Sequence, residues 1–485
     1  MIFEIHAEKN KDDKKIFFYD NEKNTLSDDT GYIYEYSEEK QQDKKSIEYI
    51  PFSKDLPLKK RRLAKLVKIQ LGLSCNYSCD YCSQKFVERP KETNSKDIEN
   101  FMKLFNELDF SEELGLKIEF WGGEPFVYWK TLKPLAEALR EKFSTWGTPP
   151  HFSVITNGSL LTEDICAWLY AMGFSVSISH DGPGQFLRGP DPFDDPEKRR
   201  AILDLYETLK PIGRISFNAM LASKNISRKD IHAWFIKFTG DPDVQLGEGG
   251  FVDAYDQDGI DNSLETKQDH FAFRRTAFND IFSTDGYIGF NGILGKIDAF
   301  TNDILKHNEA KYLNQKCGMD DESTISIDLR GNVITCQNTS AIEVSNNGES
   351  HLGGNLADFD NVELRSATHW SNRPNCSDCP VLHICRGACM YLDGKYWEST
   401  CNNAFSDAIP LFALSIEKIT GGYIPSYIVN PHLPLDRQDI WGTFLEHPET
   451  PRKKVIPIKV ITDKKSVVEG IEVYEKSTII EGPQC

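Results

Sequence analysis

Cys75, Cys79 and Cys82 stand close enough in the run Cys75-Asn76-Tyr77-Ser78-Cys79-Asp80-Tyr81-Cys82 to share one inorganic centre. Thiolates on short loops hold iron–sulfur clusters, and a cubane has four irons, so three cysteines leave one iron free for another ligand. A zinc knuckle is the alternative, but it needs a fourth cysteine or histidine nearby, and the nearest histidines are His6 and His151. Disulfides fit worse, because three cysteines leave an odd one and the N-terminus has no signal-peptide profile. Seven more cysteines lie between Cys317 and Cys401, and in a reducing compartment such clustering reads as metal ligation. There the Cys376-x2-Cys379 pair also suits zinc. The two remaining cysteines stand apart: Cys166, in the apolar helical run 165–169, is expected to be a core thiol, and Cys485 is the last residue, with no role expected.

The hydrophobic pattern supplies a scaffold to position these groups. Strand-like runs at Val67–Leu71, Leu116–Trp121, Phe152–Thr156, Phe174–Ser179, Arg214–Met220 and Val244–Leu246 alternate with helical spacing. The helical positions are Ile98, Phe101, Met102, Phe105 and Leu108, then Leu132, Leu135, Ala136, Leu139 and Phe143, with further helices over 162–171, 197–209 and 228–238. Such alternation predicts a parallel, barrel-like sheet whose chemistry sits on the loops after the strand C-termini. The cysteine loop follows the first strand, Trp121-Gly122-Gly123-Glu124-Pro125 ends the second, Thr156-Asn157-Gly158 the third and Ser179-His180-Asp181-Gly182-Pro183 the fourth. All four motifs would then face one mouth. Paired glycines let backbone carbonyls approach a ligand ammonium, and short polar side chains such as Asn157 and Ser179 suit hydroxyl recognition, although ordinary turns use the same residues.

Composition bounds the rest. With 56 basic against 74 acidic residues, the chain lacks the basic surface that nucleic acid or an anionic membrane requires. No apolar run reaches membrane-spanning length, so a soluble cytoplasmic protein with no membrane partner is expected. Residues 1–62 are polar, with aromatic runs at 16–19 and 31–34 that predict a small hairpin; Lys59-Lys60-Arg61-Arg62 reads as a solvated basic face. Beyond 405 come an apolar helical stretch at 409–416 and alternating runs at 455–461 and 471–474.

The Cys-x3-Cys-x2-Cys spacing, with Tyr81 before the third cysteine, resembles the signature of the radical S-adenosylmethionine (SAM) enzymes, and Gly122-Gly123-Glu124-Pro125 resembles their second motif. The resemblance implies a [4Fe-4S] cluster on Cys75, Cys79 and Cys82 whose open iron is chelated by SAM. It implies SAM contacts at Gly122, Gly123, Glu124 and Pro125, at Asn157 and Ser179, and at Asp181 and Arg188, with Tyr81 bordering the adenine. His180 stands where an apolar residue is expected, either a proton donor or a turn histidine. The field Cys317, Gly331-x4-Cys336, Cys376-x2-Cys379-x5-Cys385-x3-Cys389 and Cys401 resembles the seven-cysteine SPASM extension of these enzymes. That implies one auxiliary cluster on Cys376, Cys379, Cys385 and Cys401 and a second on Cys317, Cys336 and Cys389. Three thiolates leave the second short of a ligand, to be completed by Asp320, Asp321 or Glu322 or left open. Three [4Fe-4S] clusters are therefore expected.

The expected fold is α/β: a partial (βα)6 TIM-like radical SAM barrel over 63–299, then a cysteine-rich SPASM domain over 300–405 binding auxiliary Fe-S clusters. An N-terminal region (1–62) and a C-terminal extension (406–485) flank them. The resemblance implies an oxidoreductase that matures a ribosomal precursor peptide by an oxidative crosslink, fed by a flavodoxin- or ferredoxin-type donor. A sulfatase-maturase-like or small-molecule radical enzyme is the alternative, weakened because Gln337 follows Cys336 where sulfatase-maturing enzymes carry an aspartate proposed as base. A non-enzymatic metal-binding scaffold comes last.

Overall fold

The computed structural model describes residues 1–443 except 38–44, 46, 50, 86, 248, 283–288 and 346–347, together with 461–463 and 466–467. The chain opens on an antiparallel hairpin of β1 (Ile2–Asn10) and β2 (Asp13–Asp20), to which β3 (Thr25–Asp28) adds. This corrects the expected pairing of two aromatic runs. Only the first lies in the hairpin; Tyr32 and Ile33 of the second are exposed, and Ile33 makes a lone bridge to Ser27. The short β4 (Leu58–Lys59) then leads into the main sheet.

Five parallel strands follow in consecutive order: β5 (Leu66–Gln70), β6 (Lys117–Trp121), β7 (His151–Thr156), β8 (Phe174–Ser179) and β9 (Ile215–Asn218). The sixth expected strand is reduced to two isolated parallel bridges of Leu246, to Phe217 and to Phe290. Between the strands run α1 (Ile98–Phe105), α2 (Trp129–Lys142), α3 (Glu163–Ala171) and α4 (Pro196–Leu209), with α5 (Arg228–Thr239) after β9. Period-two alternation sends Ile118, Phe120, Phe152, Val154, Phe174 and Val176 into one core with Leu132, Leu135, Leu139, Leu169, Ile202 and Leu205 of the helices. Each such side chain contributes about 1.5–3 kcal/mol through burial. The intervening positions Glu119, Trp121, Ser153, Ser175, Ser177 and Ser216 line a 270 Å³ cavity.

Three more helices, α6 (Gln257–Asp261), α7 (Lys267–Phe282) and α8 (Asn291–Leu305), carry the chain to the cysteine-rich region. Here β10 (Thr324–Asp328) pairs in parallel with β5, and β11 (Asn332–Ile334) and β12 (Leu352–Asn355) extend the same sheet to eight strands. The second cysteine field is thus grafted onto the first barrel strand. Gly331, at φ +76°, makes the turn between β10 and β11, and a Cβ there would lie 2.7 Å from Leu104. The strand β13 (Glu363–Leu364) pairs with β4, and α9 (Leu382–Cys385) precedes the 27-residue α10 (Gly394–Thr420).

The boundary expected at 405/406 falls inside α10, whose buried Phe405, Ile409, Phe412 and Ile416 pack against Phe3, Phe17 and Tyr19. From beyond it, β14 (Ile424–Val429) pairs antiparallel with β1, so the N-terminal hairpin and the C-terminal extension form one sheet. Of the two alternating tail runs, 455–460 and 471–474 lie outside the described residues. Among the described residues no helix is long and apolar enough to cross a membrane.

Candidate active site

The loops after β5, β6, β7 and β8 meet at one end of the parallel sheet, and backbone contacts hold them there. The N–H of Gly123 donates to the Gly72 carbonyl at 3.2 Å and that of Glu124 to the Ser74 carbonyl at 3.0 Å. A Cβ on Gly123 would stand 2.4 Å from the Ser74 oxygen, and one on Gly122 3.0 Å from the Gly72 oxygen. The paired glycines therefore let the cysteine loop lie directly on the end of β6. Behind them Glu124 is buried, accepting from the Asn157 N–H at 2.7 Å, the Thr156 hydroxyl at 2.8 Å and the Phe126 N–H at 3.1 Å. Burial pushes its pKa up to about 7, against the pull of those donors. Pro125 is buried at the start of the short turn of helix 125–128. Asn157 reaches the cysteine loop, donating to the Asn76 side chain at 3.0 Å, with its Nδ2 4.0 Å from the Cys75 sulfur.

Asp181 organises the next loop. Its carboxylate accepts from the Met220 N–H at 2.8 Å and from the Tyr81 hydroxyl, and lies 3.0 Å from Arg188 Nε. The Arg188 guanidinium stands over the Tyr81 ring at 5.6 Å, and Cys79 lies within its electrostatic reach. Burial works against the charged Arg188, yet Asp181, Tyr81 and Cys79 hold its pKa above the ordinary value. Ser179 closes β8 in register with Asn218. His180 is fully buried, stacked against Phe193 at 4.3 Å and Trp234 at 4.7 Å. Its Nδ1 accepts from the Gly182 N–H at 3.0 Å, leaving Nε2 to donate to Asp191 at 3.0 Å. With both nitrogens engaged it is a core histidine of the turn. Cys166 is likewise a core thiol, 3.7 Å from the Ala201 carbonyl.

The other thiols of the described residues lie in three places, and Cys485 lies outside the described residues. Cys75, Cys79 and Cys82 influence one another electrostatically. Cys376, Cys379, Cys385 and Cys401 line one small cavity with Arg437, Trp397 and Phe405. Cys317, Cys336 and Cys389 line another of 440 Å³, which extends to Ser83 beside Cys82. Burial raises the thiol pKa to about 12 at Cys79, Cys379 and Cys389. A buried cation opposes this in each group: Arg188 at Cys79, Arg437 at Cys379, and Lys68 at Cys317 and Cys336. Arg437 donates to the Cys401 sulfur at 3.4 Å. Among the described residues no three His, Cys, Asp or Glu side chains converge tightly enough for a single metal ion. Thiols set around openings and paired with cations fit a bulkier anionic cluster better than a zinc ion, whose four ligands crowd within about 2.3 Å of the metal.

The sequence reading named Arg188 but missed the other two cations. Lys68 shows as a charge inside an apolar strand, but nothing local marks Arg437. Lys60 overturns the reading of 59–62 as a solvated face: it is buried and donates to the Met319 and Asp321 carbonyls at 2.7 and 2.8 Å, with its pKa lowered by burial to about 8. The acids expected to complete the three-thiol group do not line its cavity, although one buried oxygen of Asp320 has no hydrogen-bond partner. Asp320 accepts from the Gln315 N–H at 2.7 Å and lies 3.4 Å from His369. Asp321 accepts from the Ser323 N–H and hydroxyl at 2.7 and 2.6 Å, and Glu322 pairs with Arg61.

Comparison with known proteins agrees with this geometry. Residues 69–233 match the model of the radical SAM superfamily. The radical SAM cyclopropyl synthase TigE of Paramaledivibacter caminithermalis is 22% identical over 357 residues, 68% of this chain and 69% of TigE. A serine-type anaerobic sulfatase-maturating enzyme of Bacteroides thetaiotaomicron is 28% identical over 148 residues, 29% of this chain and 33% of its own length. Among solved structures, anSMEcpe with bound AdoMet and the Cp18Cys peptide superposes with a TM-score of 0.51 at 18% identity, covering 73% of this chain and 99% of that one.

Proposed function

We propose that this chain, whose residues 69–233 match the radical SAM superfamily, is a radical SAM enzyme with a SPASM-type extension that matures a ribosomally made precursor peptide by forming an oxidative crosslink. The observation that carries this reading is the 440 Å³ cavity reaching from Ser83, beside Cys82, to the thiols of Cys317, Cys336 and Cys389. A side chain lying there sits between the place where a radical arises and a place where an electron can leave. When bound, a [4Fe-4S] cluster at Cys75, Cys79 and Cys82 supplies reductive cleavage of SAM, with hydrogen abstraction from the substrate by the resulting 5′-deoxyadenosyl radical.

The chain's own residues bind, orient and exclude water. Gly122 and Gly123 bring backbone next to the cysteine loop, where a SAM ammonium finds acceptors. Arg188, preset by Asp181 and Tyr81, offers a guanidinium to the methionine carboxylate. Ser179 offers a hydroxyl at the mouth for the ribose, Asn157 would join it on exchanging its bonds to Asn76 and Ser159, and Tyr81 would border the adenine. Two groups of thiols, each lining a cavity, suit auxiliary [4Fe-4S] clusters, and a flavodoxin- or ferredoxin-type donor is proposed for the electron that starts the reaction.

The relatives support a peptide or protein substrate: one is named a cyclopropyl synthase, two are named for sulfatase maturation, and one structure holds a peptide. Sulfatase maturation is the second reading, since part of the chain resembles those enzymes. Against it, Gln337 accepts contacts from Cys336 at 3.4 Å and Lys68 at 3.5 Å but cannot take a proton at neutral pH. The test is co-expression with short peptides encoded beside the gene, read by mass spectrometry in heavy water. Loss of two hydrogens, abolished by Cys75→Ala, is expected; solvent deuterium gained at one carbon with no change in bond count would mean epimerisation instead. Conversion of a sulfatase-derived peptide would favour the second reading.

A further inference from the structure

Besides its three thiols, the 440 Å³ cavity is lined by three carboxylic side chains, Asp253, Glu343 and Asp393. Asp393 begins α10, 3.8 Å from Arg373, with its side chain 44% exposed. Glu343 faces the Ser340 N–H at 3.4 Å. Asp253 is placed differently. Asp253 and Tyr255 line the cavity together with Cys389, and the Asp253 charge acts on that thiol.

The segment that carries Asp253 is fixed on two sides. On the extension side, the Ala254 N–H donates to the Thr400 hydroxyl at 2.8 Å. On the barrel side, Asp256 and Asp258 pair with Lys85 of the cysteine loop at 3.2 and 2.5 Å. Asp253 and Lys316 also line a 30 Å³ cavity with Cys385, between the two thiol groups of the extension.

A cubane on Cys317, Cys336 and Cys389 lacks one protein ligand, and Asp320, Asp321 and Glu322 are not among the residues that line the cavity holding those thiols. We infer that Asp253, through a carboxylate oxygen, is the fourth ligand of that cluster, an inference that rests on reading those three thiols as cluster ligands. The ligand thus comes from the barrel-side segment after Leu246, not from the cysteine field itself. An oxygen donor in place of a thiolate makes that iron the most exchangeable of the four and raises the potential of the cluster, as replacing cysteine with histidine does in Rieske centres.

The test uses full-length protein, reconstituted anaerobically, with Cys75, Cys79 and Cys82 changed to alanine so that only auxiliary centres report. To this background Asp253→Ala, Asp253→Cys or the pair Cys317→Ala and Cys336→Ala is added. Iron content, the EPR spectrum of the reduced protein and a redox titration are then compared. With Asp253→Cys the iron content is expected to hold while one centre shifts to a lower potential. With Asp253→Ala one centre is expected to change its EPR signal on adding cyanide, which leaves the background protein unchanged. Asp253 is not a ligand if both variants keep the background spectrum and potential and neither responds to cyanide. If removing Cys317 and Cys336 together leaves the iron content unaltered, the reading of the three thiols fails instead. Where the alanine variant does not fold, the cysteine variant decides through its potential.

Discussion

Glu124 shows how one side chain at this mouth binds two loops together. Thr156, Asn157 and Phe126 all donate to it, so Glu124→Gln turns an amide against one of those N–H groups. The substitution is expected to cost about 1–3 kcal/mol, seen as a lower Tm. Histidine burial gives a pH prediction with a fixed sign. Burial lowers His180 below the usual imidazole value, and lowers His270 and His351 to about 4. Below pH 6.5 the unfolded chain takes up protons that the folded chain refuses. Stability is therefore present above 6.5 and is lost as pH falls toward 4, with a slope of up to about 4 kcal/mol per pH unit if the three act together. Urea unfolding from pH 7 to 5 is expected to show it, and His270→Gln to flatten the slope by roughly one proton's share, leaving any acid loss of bound groups common to both proteins.

At the scale of elements, the site depends on loops lying on one another. Gly123→Ala puts a methyl 2.4 Å from the Ser74 carbonyl, so the cysteine loop must lift off the end of β6. The expected outcome is selective loss of the iron bound through Cys75, Cys79 and Cys82, with the auxiliary iron retained, measured by iron content and EPR. The pairing of β10 with β5 joins the two cysteine fields, since the first strand of the barrel has the cysteine loop at its end and the second field's strand at its edge.

Across the whole molecule, one buried ion pair ties barrel to extension. Arg228 of α5, fully buried, donates to Asp407 of α10 at 2.6 Å and to the Gly249 carbonyl at 2.7 Å. Arg228→Ala leaves Asp407 without that partner and is expected to destabilise by about 3–5 kcal/mol, read as a lower urea midpoint. The hairpin of β1 and β2 shares a sheet with β14 across more than 400 residues of sequence, and Asn21 donates to the Ser377 and Cys379 carbonyls at 2.8 and 3.0 Å. The N-terminal region is thereby part of the wall around the four-thiol group.

Local pattern was enough for the alternation of strands and helices and the placement of four motifs at successive strand ends, because periodicity and turn chemistry are written into neighbouring residues, whereas the division of the cysteines into groups came from the family resemblance. Local pattern also marked Cys166 as a core thiol. Contacts between distant segments left no such trace. Lys68 and Arg437 beside the thiols, Lys60 beneath the 317–322 turn, Asp253 beside Cys389 and the sheet that joins both ends of the described chain each pair residues whose neighbours in sequence say nothing of their neighbours in space. Only the folded chain, where burial makes each charge and each unpaired strand edge find a partner, decided those.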